Sequence, residues 1–177
     1  PKDSSPPART ITIGGKSVLY LPCNFSRLSR SQARVFWDVD VKLNLIDVRV
    51  IAFDVFMTNM SAVGHGTIYF HSGGGWYSAN WHVSRNGKWS RIKIMKSDFR
   101  TEGKPEGWEN IDRIRLSLWR GGNEDADVYV TNFCVSGDGE PILAIGKDIG
   151  AESRYLSSVV KFLMDSGIPV SVLRSSR

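Results

Sequence analysis

From Thr10 to Val135 the chain is written as short runs in which apolar and polar residues alternate, separated by clusters of Gly, Ser, Asn and Asp. A period of two places successive side chains on opposite faces of a strand, so this pattern predicts antiparallel sheets with one buried and one wet face. In the clearest run Val35, Trp37, Val39, Val41, Leu43 and Leu45 share one face, the predicted core, and Phe36, Asp38, Asp40, Lys42 and Asn44 share the other. The same reading predicts strands at about Thr10–Ile13, Ser17–Leu21, Arg49–Thr58, Thr67–His71, Tyr77–Val83, Ser90–Met95, Arg113–Trp119 and Asp127–Phe133, with a helical turn over Gly107–Asp112. So many short strands predict a mainly β fold, an antiparallel β-sandwich or jelly roll.

After Gly137 the period changes. Ile142–Ile145 is a short apolar run, Ala151–Met164 carries Tyr155, Val159, Phe162 and Leu163 at helical spacing, and Pro169–Leu173 is apolar again. That is one β-α-β unit, too little to cover both faces of a parallel sheet, so residues 138–177 read as the opening of a second α/β domain. The expected division is a disordered segment 1–8, a sandwich over 9–137 and this β-α-β start, within a larger parent protein. The opening Pro1-Lys2-Asp3-Ser4-Ser5-Pro6-Pro7 has the features neither of an initiator nor of a signal peptide, and reads as a processed or excised terminus.

Composition narrows the function classes. With 41% hydrophobic and 23% charged residues the chain is an ordinary globular protein, and a net charge of +5 is too small a surplus to imply nucleic acid. No apolar run reaches the length of a membrane span. Cys23 and Cys134 lack the paired short spacing of a zinc site; they are one disulfide or, by preference, two buried thiols.

The six Trp are the unusual feature. Four Trp and Tyr residues and two His surround a triple-glycine turn in Thr67–Val83, where indole and phenol rings offer flat faces to sugar C–H groups and polar edges to hydroxyls. The same rings could fill a sandwich core. Alternation divides them: Trp76, Ser78, Asn80 and His82 share a mixed, wet face, and Tyr77, Ala79, Trp81 and Val83 an apolar one. Along Arg113–Arg120, inward Ile114, Leu116 and Leu118 leave Arg113, Arg115, Ser117 and Trp119 on a face that is polar and aromatic at once. There an arginine fork could clamp hydroxyls or a carboxylate, or simply pair with a cross-strand acid such as Asp54. Asp54, isolated in an apolar strand, needs a partner, and either sugar hydroxyls or Arg115 would serve.

Seven basic residues against two acidic ones between Arg85 and Lys104 suit either a solvated surface or an anionic polysaccharide. Catalytic signals are weak. His65, His71 and His82 are too loosely spaced for zinc, Gly73–Gly75 opens no helix as a phosphate loop would, and Asp54, Glu106 or Glu109 could make a glycosidase pair only at a separation that spacing does not give.

Taken together, Tyr69-Phe70-His71-Ser72-Gly73 with Trp76-Tyr77, Gly87-Lys88-Trp89, Lys96-Ser97-Asp98-Phe99 and Gly107-Trp108 with Ile111-Asp112-Arg113-Ile114 resemble the galactose-binding-like jelly-roll modules attached to bacterial glycoside hydrolases. The resemblance spans roughly Pro22–Val135. It implies non-catalytic polysaccharide binding in an extracellular or periplasmic protein, with no cofactor beyond a structural calcium. Val130-Thr131-Asn132-Phe133 lacks the Asp that many relatives carry in the last strand, so the calcium is not carried over. The expected binding residues are Asp54, Tyr69, His71, Trp76, Asn80, Arg115 and Trp119; the expected partners are a polysaccharide, which the basic run allows to be anionic, and the downstream domain. A structural domain docking a catalytic neighbour, with no glycan bound, is the alternative.

Overall fold

The computed structural model describes residues 5–29 and 31–137, so the β-α-β reading of 138–177 lies outside the described residues. Within them the alternating runs become β1 (Arg9–Ile13), β2 (Lys16–Cys23), β3 (Arg34–Leu43), β4 (Val50–Met57), β5 (Val63–Trp81), β6 (Ser90–Met95), β7 (Arg100–Pro105), β8 (Ile111–Arg120) and β9 (Ala126–Ser136). They form two antiparallel sheets, one ordered β1-β2-β9-β4-β6 and the other β3-β8-β5-β7. The inner faces supply one core, in which Leu21, Phe25, Val35, Ile51, Phe53, Ile68, Phe70, Ile111 and Leu118 are buried. Phe53 lies at its centre, stacked on Phe133 and edge-on to Trp81. The β-sandwich expected from the alternation is the observed architecture.

Strand β5 doubles back on itself. Thr67 and Asn80, thirteen residues apart, are in hydrogen-bond contact at 2.7 Å. An extended strand would separate them by roughly 43 Å, at about 3.3 Å per residue. The turn lies at the triple glycine, where Gly73 takes φ +55°, open to glycine without the penalty a side chain brings. One half of β5 pairs with β8 and the other with β7, so both halves lie in the second sheet.

Three expectations change. Strand β7 had no sequence signal, because Arg-Thr-Glu-Gly-Lys-Pro is a solvated edge strand without apolar alternation. Gly107–Asn110 closes as a single turn, and Ile111 and Asp112 already belong to β8. Of the segment read as disordered, Ser5 and Pro6 bond the free edge of β3: Phe36 N–H donates to Ser5 Oγ and Trp37 Nε1 to the Pro6 carbonyl.

Both cysteines are free. Cys23 sits opposite Ala126, and Cys134 is eight residues further along β9, about 26 Å at strand rise, far beyond disulfide reach. Cys23 is buried, and burial pushes its thiol pKa up. Cys134 is only half-buried, on the outer face of the five-stranded sheet.

Candidate functional site

Because Ile114, Leu118, Ile68, Phe70 and Val35 point into the core, the strand period presents their neighbours on the outer face of the β3-β8-β5-β7 sheet. Pairing fixes the rows. Arg34 lies opposite Trp119 and Trp119 opposite His65; the next rows are Phe36 with Ser117 and Thr67, Asp38 with Arg115 and Tyr69, and Asp40 with Arg113 and His71. The returning half of β5 adds Trp76, Ser78 and Asn80, and His82, just past its end, lies beside His65. Thus all three histidines of the chain share this face.

Six of the seven expected binding residues meet here: Tyr69, His71, Trp76, Asn80, Arg115 and Trp119. Asp54 does not. It is on β4 in the other sheet, with its carboxylate held by Arg91 at 3.1 Å and by the Asn132 side-chain amide at 2.6 Å. The isolated acid has the partner its setting requires, but from β6 and β9; which strands pair is a tertiary outcome that one strand's pattern does not contain.

Nor does Arg115 reach toward Asp54. It is bidentate on Asp38 at 2.6 and 2.7 Å, and its guanidinium lies over the Phe36 ring at 4.3 Å and the Trp76 ring at 4.7 Å. Arg113 is paired likewise with Asp40, and His71 Nδ1 with Asp112. Trp119 is closed in on its faces, by the Arg34 guanidinium at 4.9 Å from β3 and by His65, stacked at 5.4 Å, from β5. Trp119 is therefore a member of a cation–aromatic row rather than an open flat platform.

A hydrogen-bond relay organises the centre of the face. Trp119 Nε1 donates to Thr67 Oγ1 at 2.9 Å, so the single Thr67 hydroxyl proton is free to donate onward to Asn80 Oδ1 at 2.7 Å. That commits Oδ1 of the exposed Asn80 to Thr67 and so orients its amide, leaving the NH₂ as the donor for a ligand. Beside it runs a groove of about 510 Å³, lined among others by His65, Tyr69, Asn80, Trp119 and, from the edge strand, Arg100 and Glu102. Trp76, His71 and Arg115 lie beyond its lining. Sequence reasoning missed Thr67, Arg100 and Glu102: the first is a short polar residue in an aromatic run, and the others belong to the unsignalled β7.

A family 11 carbohydrate-binding module of a Clostridium thermocellum cellulosomal cellulase is 13% identical, with a TM-score of 0.54 over 74% of this chain and 81% of that one. A family 30 carbohydrate-binding module is 12% identical, with a TM-score of 0.53 over 82% and 79%. The fold is that of β-sandwich carbohydrate-binding modules. An agarase also matches, at 14% identity and a TM-score of 0.51, over 94% of this chain but 29% of its own. No protein-family model and no curated protein sequence matches the chain.

In this module-like fold the basic run Arg85–Lys104 is divided: Arg91 and Lys93 stand on β6 in one sheet, Arg100 and Lys104 on β7 in the other. It is not one stripe. Among the described residues no group of three or more His, Cys, Asp or Glu is placed to hold a metal ion. Nor does any described helix have the length and apolarity to cross a membrane.

Burial, reinforced by the neighbouring His82, lowers the pKa of His65 below the ordinary imidazole value. The folded state therefore favours neutral His65. As pH falls through about 6.5 the unfolded chain takes up the proton first, so this part of stability, present above that pH, is lost until the folded group also protonates. Melting temperature is expected to fall between about pH 7.5 and about pH 5.5, and by less in His65→Gln; an identical fall in the variant would remove His65 from the cause.

Proposed function

We propose that this chain is a non-catalytic polysaccharide-binding module of a larger, glycan-degrading protein acting outside the cytoplasm, and that it binds glycan along the outer face of the β3-β8-β5-β7 sheet. The observation that carries this is the open groove beside the Trp119–Thr67–Asn80 relay, where an aromatic wall and an oriented amide donor converge. Aromatic surface with a few placed polar groups is the chemistry sugar binding needs. The fold shared with carbohydrate-binding modules supports the reading; a family 11 module from Clostridium thermocellum was solved with a β-1,3-1,4-mixed-linked tetrasaccharide. The agarase match supports a glycan-degrading parent.

The charged residues that line the groove are Arg100 against Asp98 and Glu102, so the groove carries no cationic surplus and favours an uncharged chain over an anionic one. Shallow contacts must add along the groove, so chains should bind better than single sugars. The test is affinity electrophoresis of the full chain against neutral, uronic and sulfated polysaccharides. Retardation by a neutral chain, insensitive to salt, is expected. Salt-sensitive retardation by anionic chains alone would overturn the charge assignment. No retardation by any of them would leave the docking-domain reading, which the closed-in Trp119 faces and the committed Arg115 favour.

A further inference from the structure

Strand β5 begins and ends at one end of the sandwich. Its first residues, Val63 to Gly66, and its last, Trp81, meet there, and Met57, the last residue of β4, joins them from the other sheet. They enclose a cavity of about 160 Å³ that shares the His65 wall with the groove. The thioethers of Met57 and Met60 line it together with Val63 and Val83, and the His82 ring stands 5.9 Å from that of His65. One polar group in this wall is unmatched. Trp81 is 4% exposed, and its buried indole N–H donates to nothing. A Cβ at Gly66 would run into Cε2 of that indole, the carbon that bears the nitrogen, so glycine is what lets the indole lie against this wall. A buried donor has given up water, and without an acceptor the loss is uncompensated. The acceptor is therefore sought outside the chain.

We propose that this cavity receives an acetyl substituent of the glycan that lies in the groove. The inference rests on the glycan reading and sharpens it: the ligand is an acetylated neutral polysaccharide. An acetyl group joins a carbonyl oxygen to a methyl. The oxygen supplies the acceptor that the Trp81 N–H lacks, and the methyl packs on the thioethers and valines. Size agrees, since about 160 Å³ is the share of roughly five waters at about 30 Å³ each, room for a substituent but not for a length of chain. Charge agrees as well. Burial holds His65 neutral, and a single N–H beside an uncharged imidazole matches a carbonyl better than a carboxylate. Because His65 is common to groove and cavity, a sugar seated against it in the groove has the cavity beside it.

Affinity electrophoresis of the full chain against natively acetylated xylan and glucomannan, each beside the same chain after alkaline deacetylation, tests it; a soluble chitin supplies the N-acetylated source. The acetylated chains are expected to bind roughly tenfold more tightly, the gain from one hydrogen bond and one buried methyl. That ratio should fall to near one in Trp81→Phe, which keeps a ring and removes the donor. It should also fall in Met60→Gln, which changes the cavity wall at a half-buried position and leaves the indole in place. Circular dichroism checks the fold of both. A second readout is the Trp81 indole proton, one of six such signals, identified by its absence in Trp81→Phe. It should move downfield with acetylated oligosaccharides and stay in place with deacetylated ones. Tighter binding of chitin than of the O-acetylated chains, with the same indole shift, would keep the acetyl site and assign it an N-acetyl source. Equal binding of acetylated and deacetylated chains, or a preference that both folded variants retain, overturns the proposal and leaves the glycan reading standing. Retardation by none of the chains removes the glycan reading and the proposal with it.

Discussion

In Trp119→Ala, affinity for whichever polysaccharide retards the full chain is expected to fall at least tenfold, about 1.4 kcal/mol or more, the range of an aromatic anchor at the centre of a binding surface. The loss has two sources. The indole is a wall of the groove, and its N–H anchors Thr67, which in turn orients Asn80. Trp119→Phe separates them: the ring stays, the donor goes, and Thr67 loses the bond that holds its oxygen. It should bind more weakly than the unaltered chain and more tightly than Trp119→Ala. Trp76→Ala is the comparison, since Trp76 stacks on Arg115 outside the groove lining and its removal should weaken binding less. The variants are compared by affinity electrophoresis after circular dichroism confirms the fold, because the Arg34 and His65 packed on Trp119 also lose a contact. If Trp76→Ala abolishes binding and Trp119→Ala leaves it intact, the ligand lies over the Arg115 row and not in the groove.

How far this surface could be read in advance follows from what alternation encodes. Period-two patterning assigns each side chain to a face of its own strand, which is why Trp76 and Asn80 were legible as wet, Ala79 and Trp81 as core, and the Asp38–Asp40 face of β3 as outward. It does not say which strands become neighbours. That decided Asp54, whose face was legible but whose sheet was not, and Arg115, whose expected hydroxyl clamp is closed by Asp38. Strand β7 was invisible for another reason: an edge strand with neither face in the core carries no apolar period to read, yet it brings Arg100 and Glu102 to the groove.

Gly75→Ala should be a strongly damaging single-methyl change at the site. The position needs no unusual φ; what it needs is space. A Cβ there would stand 2.5 Å from Pro105 N and 2.6 Å from both Glu102 O and Lys104 N, all backbone atoms of the paired strand, which no side-chain rotation can move aside. Relief requires β7 to lift from β5 along the Gly73–Ser78 pairing. Overpacking against backbone costs about 2–4 kcal/mol, a fall in melting temperature of roughly 10 °C for a chain this size. Gly74→Ala is the control: its Cβ meets only the Lys104 carbonyl oxygen, at 3.3 Å, and a shift of a few tenths of an ångström accommodates it. Because Arg100, Thr101 and Glu102 line the groove from β7, lifting that strand should weaken glycan binding in Gly75→Ala even at temperatures where the protein stays folded. Thermal melts together with affinity electrophoresis separate the links: a lowered melting temperature with unchanged affinity would place the ligand away from β7, and an unchanged melting temperature would mean that β7 does not close on Gly75 at all.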